Sequence, residues 1–129
     1  MALSFPADCR YADSHEYVKA DGDTWRLGLS AFAVDQLGDI VFVELPELGS
    51  SLSRGESFGS VESVKAVEDL IAPVSGEVVA RNEAVLASPE ELQNDPYGEG
   101  WLLQIKPSDP SELDGLMDAT RYGAKVDGH

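Results

Sequence analysis

Short segments of alternating apolar and polar residues recur along the chain, separated by Gly, Pro and Ser. Alternation places every second side chain on one face, so the pattern is typical of half-buried β-strands. Many such strands with turn residues between them favour an all-β sandwich or barrel over a helical or βαβ fold. The pattern therefore predicts a mostly β protein.

The clearest predicted element is a hairpin near the N-terminus. Its strands are residues 16–19 and 24–29, and Asp21 and Gly22 lie between them. This residue pair suits the positive φ angles of a tight hairpin turn. We therefore expect the chain to reverse at Gly22.

A short helix and then a strand are predicted after this hairpin. Ser30 can cap the helix through its side-chain oxygen, and Gly38 can end it in the left-handed conformation. Residues 40–45 are mostly apolar and stop at Pro46, which predicts a mostly buried strand. The expected inward positions of the helix are Phe32, Val34 and Leu37.

Two later segments carry helix-start signals. Residues 88–91 (SPEE) have the form of a capping box with Pro at the first helical position, and residues 109–112 (DPSE) repeat it. The first predicts one helical turn and the second a C-terminal helix packed on the sheet, with a return strand at residues 101–105 between them. The apolar face of that C-terminal helix is expected to hold Leu113, Leu116 and Met117.

Size and composition indicate one folded domain. The chain has 129 residues, of which 43% are hydrophobic and 26% charged, enough apolar surface for one core. We expect residues 1–10 to be an N-terminal segment and residues 11–129 to form a single domain.

The charge balance disfavours anionic partners. The 24 acidic and 9 basic residues give a net charge of −15, and the basic residues are not clustered. Such a surface repels nucleic acid and anionic lipid. The sequence also lacks an apolar stretch of about 20 residues and a leader pattern, so we expect a cytoplasmic protein without membrane contact.

No catalytic or metal-binding constellation is recognisable. Cys9 is the single cysteine, and His15 and His129 are the only histidines, which excludes a Cys/His zinc site by count. Residues 13–15 contain the residue types of a catalytic triad, but sequence adjacency does not arrange them in space. We expect the segment around Cys9 to be mobile and its thiol to be a spectator and not a nucleophile.

Lys65 is the most informative basic residue. It is the only basic residue between Arg54 and Arg81, and it separates two strand-like segments. This position predicts a lysine at or near a hairpin tip. Hairpin tips are commonly charged, so the position alone is also explained by an ordinary surface lysine.

The residues around Lys65 favour a functional interpretation. Residues 59–66 read GSVESVKA and residues 72–79 read APVSGEVV, which resemble the lipoyl-attachment region of the glycine cleavage system H-protein family. The similarity extends in family order over about residues 11–126. Further matching blocks are SHEYV at 14–18, QLGDIVFVELP at 36–46 and DPYGEGWL at 95–102.

The resemblance implies a barrel-sandwich hybrid fold, of the lipoyl- and biotinyl-carrier type, with short helices and a C-terminal helix. It implies a lipoate group in amide linkage to Lys65 and no catalytic residue. The family usually has Trp where this chain has Tyr17, and often His at the position of Gln36. By resemblance, the residues that guide modification are Glu62, Ser63, Ala66 and Gly76, and a cleft for the loaded arm includes Ser14, Glu16 and Asp69.

The implied function is that of a shuttle in glycine catabolism. Such a carrier takes the aminomethyl group from glycine decarboxylase (P protein) to aminomethyltransferase (T protein), and its dithiol to dihydrolipoyl dehydrogenase (L protein). Lipoylating enzymes are further expected partners, and we expect a monomer. A tethered arm makes each encounter with a docked enzyme effectively intramolecular.

Three other interpretations compete with this one. Biotin carriers typically have Met on both sides of the lysine, whereas Lys65 has Val64 and Ala66. A lipoyl relay protein, which donates lipoate to other 2-oxoacid dehydrogenase complexes, would look alike at Lys65 and stays open. A purely structural β-module would require Lys65 to remain unmodified.

Overall fold

The computed structural model of the chain describes residues 5–127. Residues 1–4 and 128–129 lie outside the described residues. They include His129 and the first four residues of the expected N-terminal segment. The described residues form two antiparallel sheets, four α-helices and a 3-10 helix. A mostly β fold with short helices and a C-terminal helix is therefore confirmed.

The larger sheet has six strands in the order β1-β2-β3-β9-β8-β5. Every neighbouring pair in it is antiparallel. The strands are β1 (Arg10–Tyr11), β2 (Glu16–Asp21), β3 (Thr24–Leu29), β5 (Ser51–Leu52), β8 (Gly76–Arg81) and β9 (Leu103–Pro107).

The smaller sheet has three antiparallel strands in the order β4-β6-β7. Its strands are β4 (Ile40–Glu44), β6 (Ser57–Ser63) and β7 (Val67–Ile71). The helices are α1 (Ala31–Leu37), α2 (Glu83–Ala87), α3 (Glu91–Asn94) and α4 (Ala119–Asp127), and the 3-10 helix is Pro110–Gly115.

One hydrophobic core joins the two sheets. Alternating residues of both sheets contribute to it, as expected when two sheets bury one face each. The larger sheet contributes Val18, Leu27, Val78 and Ile105, and the smaller sheet contributes Val43, Val61 and Leu70.

The N-terminal hairpin and the first helix form as predicted. β2 and β3 pair through the turn at Gly22, whose φ is +66°. The side chain of Ser30 accepts a hydrogen bond from the backbone N–H of Ala33 and so caps α1. Gly38 ends the helix as expected, but the predicted left-handed conformation is wrong, because its φ of 75° is combined with a ψ of −139°.

The prediction of a mostly buried strand at residues 40–45 is wrong. In β4 only Ile40 and Val43 are buried, while Val41 and Phe42 are 49% and 52% exposed. The pairing register shifts between Ile40 and Phe42, so Val41 is an extra residue in the ladder. Because such a bulge interrupts the alternation of side chains, two successive apolar residues face outward.

The later elements differ in their bounds from the predictions. The capping box predicted at residues 88–91 does not form, because α3 begins only at Glu91 and has no side-chain cap. The short helix α2, which precedes it, was not predicted. The return strand is β9, two residues later than expected. Asp109 does cap a helix, but it is a 3-10 helix that ends at Gly115.

The C-terminal helix is consequently a separate element. It begins at Ala119, after the three residues expected on its apolar face, and it buries Tyr122 and Val126. These two side chains belong to a second, largely aromatic cluster with Tyr11 and Tyr17. The helix therefore packs on this cluster beside β1.

Cys9 also belongs to the aromatic cluster, so the expectation of a mobile segment around it is wrong. Its side chain is 2% exposed, and Arg10 next to it already pairs in β1. Burial, reinforced by the neighbouring Asp8 carboxylate, raises the pKa of the thiol to about 12. A thiol with so high a pKa is a poor nucleophile at neutral pH, which agrees with the expectation of an unreactive cysteine.

Candidate functional site

Lys65 lies at the tip of the hairpin formed by β6 and β7. The turn is closed by a hydrogen bond from Ser63 N–H to the Ala66 carbonyl of 2.8 Å. The Ser63 hydroxyl oxygen accepts from the backbone N–H of Ala66 at 3.1 Å and of Lys65 at 3.3 Å. These bonds make the turn rigid while the Lys65 side chain stays exposed.

A second contact holds this tip against the rest of the molecule. The backbone N–H of Val64 donates to the Asp39 carbonyl at 3.0 Å, just before β4. Because α1 ends at Gly38, the end of that helix and the lysine tip are neighbours. A β-carbon placed on Gly38 would lie 3.9 Å from Lys65 Cε.

A cleft of about 440 Å³ extends from Lys65 between the tip, the loop before β2 and α1. Its walls combine apolar side chains with several polar groups. The apolar residues include Leu29, Phe32, Leu37, Val61 and Leu70, and the polar ones are Ser14, His15, Glu16, Gln36, Lys65, Glu68 and Asp69.

Glu16 is the buried acid of the cleft, at 1% exposure. One carboxylate oxygen accepts from the Ile71 N–H at 3.0 Å, and the other accepts from the Ser14 hydroxyl. Burial raises the pKa of this carboxyl to about 7, because the two hydrogen bonds offset only part of the desolvation. Burial thus makes Glu16 easier to protonate than an exposed glutamate.

His15 connects the cleft wall to the C-terminal helix. Its φ is +79°, the only positive value found for a non-glycine residue between positions 5 and 127. Its Nδ1 lies 2.7 Å from the Tyr122 hydroxyl, which also lies 2.7 Å from the Ser30 hydroxyl. One buried hydroxyl thus joins α4, the cap of α1 and the loop that carries Ser14 and Glu16.

The structure brings the expected cleft residues together. Ser14, Glu16 and Asp69 line the same cleft as Lys65, although 49 or more positions separate the first two from the lysine. Glu16 is buried, whereas Ser14 and Asp69 are exposed. The cleft therefore contains one carboxylate that is shielded from water, that of Glu16, and two solvent-exposed polar side chains, those of Ser14 and Asp69.

The residues expected to guide modification are divided between the two sheets. Ser63 and Ala66 form the turn, and Glu62 is exposed on β6 beside it. Gly76 begins β8 in the larger sheet, with no positive φ, so it lies in a strand and not in a turn. A β-carbon at Gly76 would meet the Lys106 carbonyl oxygen at 2.6 Å, so the position is close-packed.

Several cleft residues were not identified from the sequence. His15 was interpreted as part of a triad-like segment and Gln36 as a departure from the family, yet both line the cleft together with Glu68. Phe32 was expected to face inward and is half-buried in the cleft wall. The one usable signal was that His15 and Gln36 occur inside blocks that match the family.

Metal-binding and membrane-spanning features are absent from residues 5–127. No group of three or more His, Cys, Asp or Glu side chains is arranged to hold a metal ion in this range. Within the same range, no helix has the length and apolar character required to cross a membrane.

Comparisons with known proteins give consistent matches over nearly the whole chain. Residues 9–129 match the family model described as Glycine cleavage H-protein. Over 126 residues, 98% of each chain, the sequence is 73% identical to the Glycine cleavage system H protein of Synechococcus sp. (strain CC9605). The identity and coverage are the same for the protein of that name from Parasynechococcus marenigrum (strain WH8102).

A solved structure shows the same fold. The crystal structure of a glycine cleavage system H protein from Mycobacterium marinum superposes with a TM-score of 0.88 at 43% sequence identity. The match covers 95% of this chain and 99% of the other. This similarity confirms the barrel-sandwich hybrid fold.

Proposed function

Because the chain belongs to the glycine cleavage H-protein family, the lipoyl shuttles of the glycine cleavage system, we propose that Lys65 carries the lipoyl group. We further propose that the cleft beside Lys65 shelters the aminomethyl-loaded end of that arm. The observation that carries the proposal is the position of Lys65, exposed on a rigid tip and on the wall of a cleft with a buried acid.

The tip is suited to attachment. An amide can form only if the lysine nitrogen reaches a partner enzyme, and the exposed Lys65 side chain meets this condition. The hydrogen bonds of Ser63 and Asp39 hold the turn in one conformation, so little entropy is lost when an enzyme binds it. This supports the roles of Glu62, Ser63 and Ala66 as residues that guide modification, with Gly76 supporting the neighbouring sheet.

The chemistry of the cleft fits a lipoyl arm. Leu29, Phe32 and Leu37 provide apolar contact for its hydrocarbon chain. When bound, lipoate supplies a disulfide that accepts the aminomethyl group and is later re-formed from the dithiol. Partial burial in the cleft would exclude water from the loaded arm.

Glu16 is the group best placed to hold the cargo. A cationic amine beside a buried carboxylate forms a charge-assisted hydrogen bond and favours the ionised acid. Since the pKa of Glu16 is about 7, an approaching cation shifts it toward the ionised form without a large free-energy change. Ser14 and Asp69 add acceptors at the wetter side of the cleft.

The remaining parts of the proposal concern the setting of the protein. It is a non-catalytic, monomeric carrier in the cytoplasm that serves glycine decarboxylase, aminomethyltransferase, dihydrolipoyl dehydrogenase and the lipoylating enzymes. Residues 11–129 form the carrier domain, preceded by the segment 1–10. A relay that only donates lipoate would need the tip but not the cleft with its buried acid, so the cleft supports the glycine shuttle.

Mass spectrometry tests the attachment directly. Protein isolated from its native host should carry one lipoyl group on the peptide with Lys65, and Lys65→Arg should fold normally but carry none. A guanidinium keeps the charge and cannot form the amide. Lys106→Arg is the matched control and should be lipoylated normally. Finding the group on Lys19, Lys106 or Lys125, or on no lysine, would overturn the proposal.

A further inference from the structure

Exposed apolar side chains concentrate around the lysine tip. Of the six large apolar residues that are exposed between positions 5 and 127, four lie on the smaller sheet and its turn. Their exposed fractions are 49% for Val41, 52% for Phe42, 70% for Val64 and 63% for Val67. We call these four residues the tip patch.

The pairing register places Phe42 and Val67 of the tip patch on the outer face of the smaller sheet. Phe42 pairs with Glu62 and Glu62 pairs with Val67, so the three side chains form one row across the strands. Two strand spacings separate Phe42 from Val67, about 10 Å. The next row, Val43 with Val61, faces the core.

A backbone irregularity creates part of this surface. Regular alternation would turn either Val41 or Phe42 inward, but the β-bulge at Val41 turns both outward. Bulges commonly re-aim side chains next to functional sites. Water contact with four large apolar groups is unfavourable, so a surface of this kind is typical of an interaction site.

From this arrangement we propose that the tip patch is the docking surface for the enzyme that forms the amide at Lys65. The inference rests on the proposed function. The enzyme that acylates Lys65 must bring its activated acyl group to the lysine nitrogen itself, so it must contact the residues that flank the tip. Enzymes that act on the far end of the arm have no such requirement.

The charges around the patch define the partner further. Glu62 lies inside the row, and Glu44, two positions after Phe42 on β4, is also exposed. The whole chain carries a net charge of −15. The complementary surface therefore has an apolar centre, which receives Phe42 and Val67, and a rim of Lys or Arg.

The decisive experiment measures lipoylation of the full-length apoprotein by the purified lipoyl-attaching enzyme, with the apoprotein as the varied substrate. Phe42→Ala/Val67→Ala should lower kcat/KM about tenfold, because buried aromatic anchors dominate interface energies. The loss should appear in KM with kcat nearly unchanged, since the reacting groups are intact. Val67→Ser alone should show a smaller loss in the same direction.

Matched controls come from the other exposed apolar residues. Leu48 and Val79 are 62% and 41% exposed and lie away from the tip, so Leu48→Ala and Val79→Ala should stay within twofold of wild type. Glu44→Lys should lower kcat/KM more at low salt than at high salt, whereas Glu90→Lys should not. Circular dichroism and thermal unfolding establish that each variant is folded.

The outcomes separate this inference from the proposed function. If wild type is lipoylated at Lys65 and the patch variants match it within twofold, the docking surface is wrong while the carrier function stands. An equal loss in the patch variants and in Val79→Ala also overturns the docking surface. If wild type is not lipoylated at Lys65, both proposals fail.

Discussion

The side-chain hydroxyl of Tyr122 lies 2.7 Å from Nδ1 of His15, a residue 107 positions earlier in the chain. The same hydroxyl lies 2.7 Å from that of Ser30, and both hydroxyls are fully buried. The Tyr122 ring stacks on Tyr11 at a centroid distance of 4.6 Å. Tyr122 of the C-terminal helix therefore supports the wall of the cleft.

Removing this hydroxyl should destabilise the fold. Tyr122→Phe keeps the stacking on Tyr11 but removes the hydrogen bonds to Nδ1 of His15 and to the Ser30 hydroxyl, which still accepts from the Ala33 N–H. A buried hydrogen bond contributes about 0.5–1.5 kcal/mol net, so losing two should lower the free energy of unfolding by about 1–3 kcal/mol. Denaturant unfolding at pH 7 measures it. An unfolding free energy equal to that of wild type would contradict a supporting role for Tyr122.

The stability of the protein should depend on the titration of Glu16. Its pKa rises from an ordinary value of 4.5 to about 7 in the fold, so between these pH values the folded state holds a proton that the unfolded chain has released. Protonation thus favours folding, and the contribution of Glu16 is lost as pH rises through this window. The total change is at most about 3 kcal/mol.

Comparison with Glu16→Gln isolates this contribution. The amide oxygen can still accept from the Ile71 N–H, and the variant does not titrate. The difference in unfolding free energy, wild type minus variant, should therefore decrease between pH 4.5 and pH 7. A difference that is constant over this window would show that Glu16 titrates normally.

Glu16 and Asp69 should protect the loaded arm to different extents. A hydrogen bond to a buried charge is worth about 1.5–3 kcal/mol, and an exposed ion pair about 0–1 kcal/mol. Glu16→Gln should therefore hasten hydrolysis of the aminomethyl-loaded form about tenfold, and Asp69→Asn up to about fivefold. The decay of the loaded protein over time is the measurement.

The control for general surface charge is Glu90→Gln, which should decay like wild type. Lipoylation and reoxidation of the unloaded dithiol should be nearly unchanged in all three variants. If the loaded form decays at the same rate in wild type and in all three variants, Glu16 and Asp69 do not shelter the arm.

Two glycines should respond oppositely to the same substitution. Gly76→Ala would bring a β-carbon within 2.6 Å of the Lys106 carbonyl oxygen, so β8 and β9 must separate, at a cost of about 1–3 kcal/mol. Gly123→Ala in α4 meets Phe5 at an ordinary 3.6 Å and should stabilise the protein by up to about 1 kcal/mol. Thermal unfolding of both variants checks the signs.

Gly76→Val should in addition slow lipoylation. The larger side chain displaces the same backbone, and Gly76 is one of the residues assigned to recognition by resemblance. A Gly76→Val protein that is as stable as wild type and lipoylated at the same rate would contradict both the packing argument and the assignment.

The elements that were predicted correctly from the sequence are those whose formation depends on residues close together in the chain. The turn at Gly22, the cap at Ser30 and the end of α1 at Gly38 each require only a local residue preference. The position of Lys65 at a hairpin tip follows likewise from two flanking strand patterns. The family blocks around Lys65 then indicated the fold and the shuttle role.

The predictions that failed concern burial and long-range packing. Val41 and Phe42 have the composition of a buried strand, and only their register against β6 exposes them. The helix signal at Asp109 opens a 3-10 helix that ends at Gly115, and the C-terminal helix, which buries Tyr122 and Val126, begins only at Ala119.

The amino-acid sequence by itself thus determined most of the strands, the cap of α1 and the place of Lys65 at a hairpin tip, because each is encoded by residues close together in the chain. Tertiary structure decided that Glu16 is buried, that His15 meets Tyr122 and that the tip patch is exposed. These properties depend on which distant segments exclude water from a side chain. Exclusion of water is collective, so no local pattern specifies it.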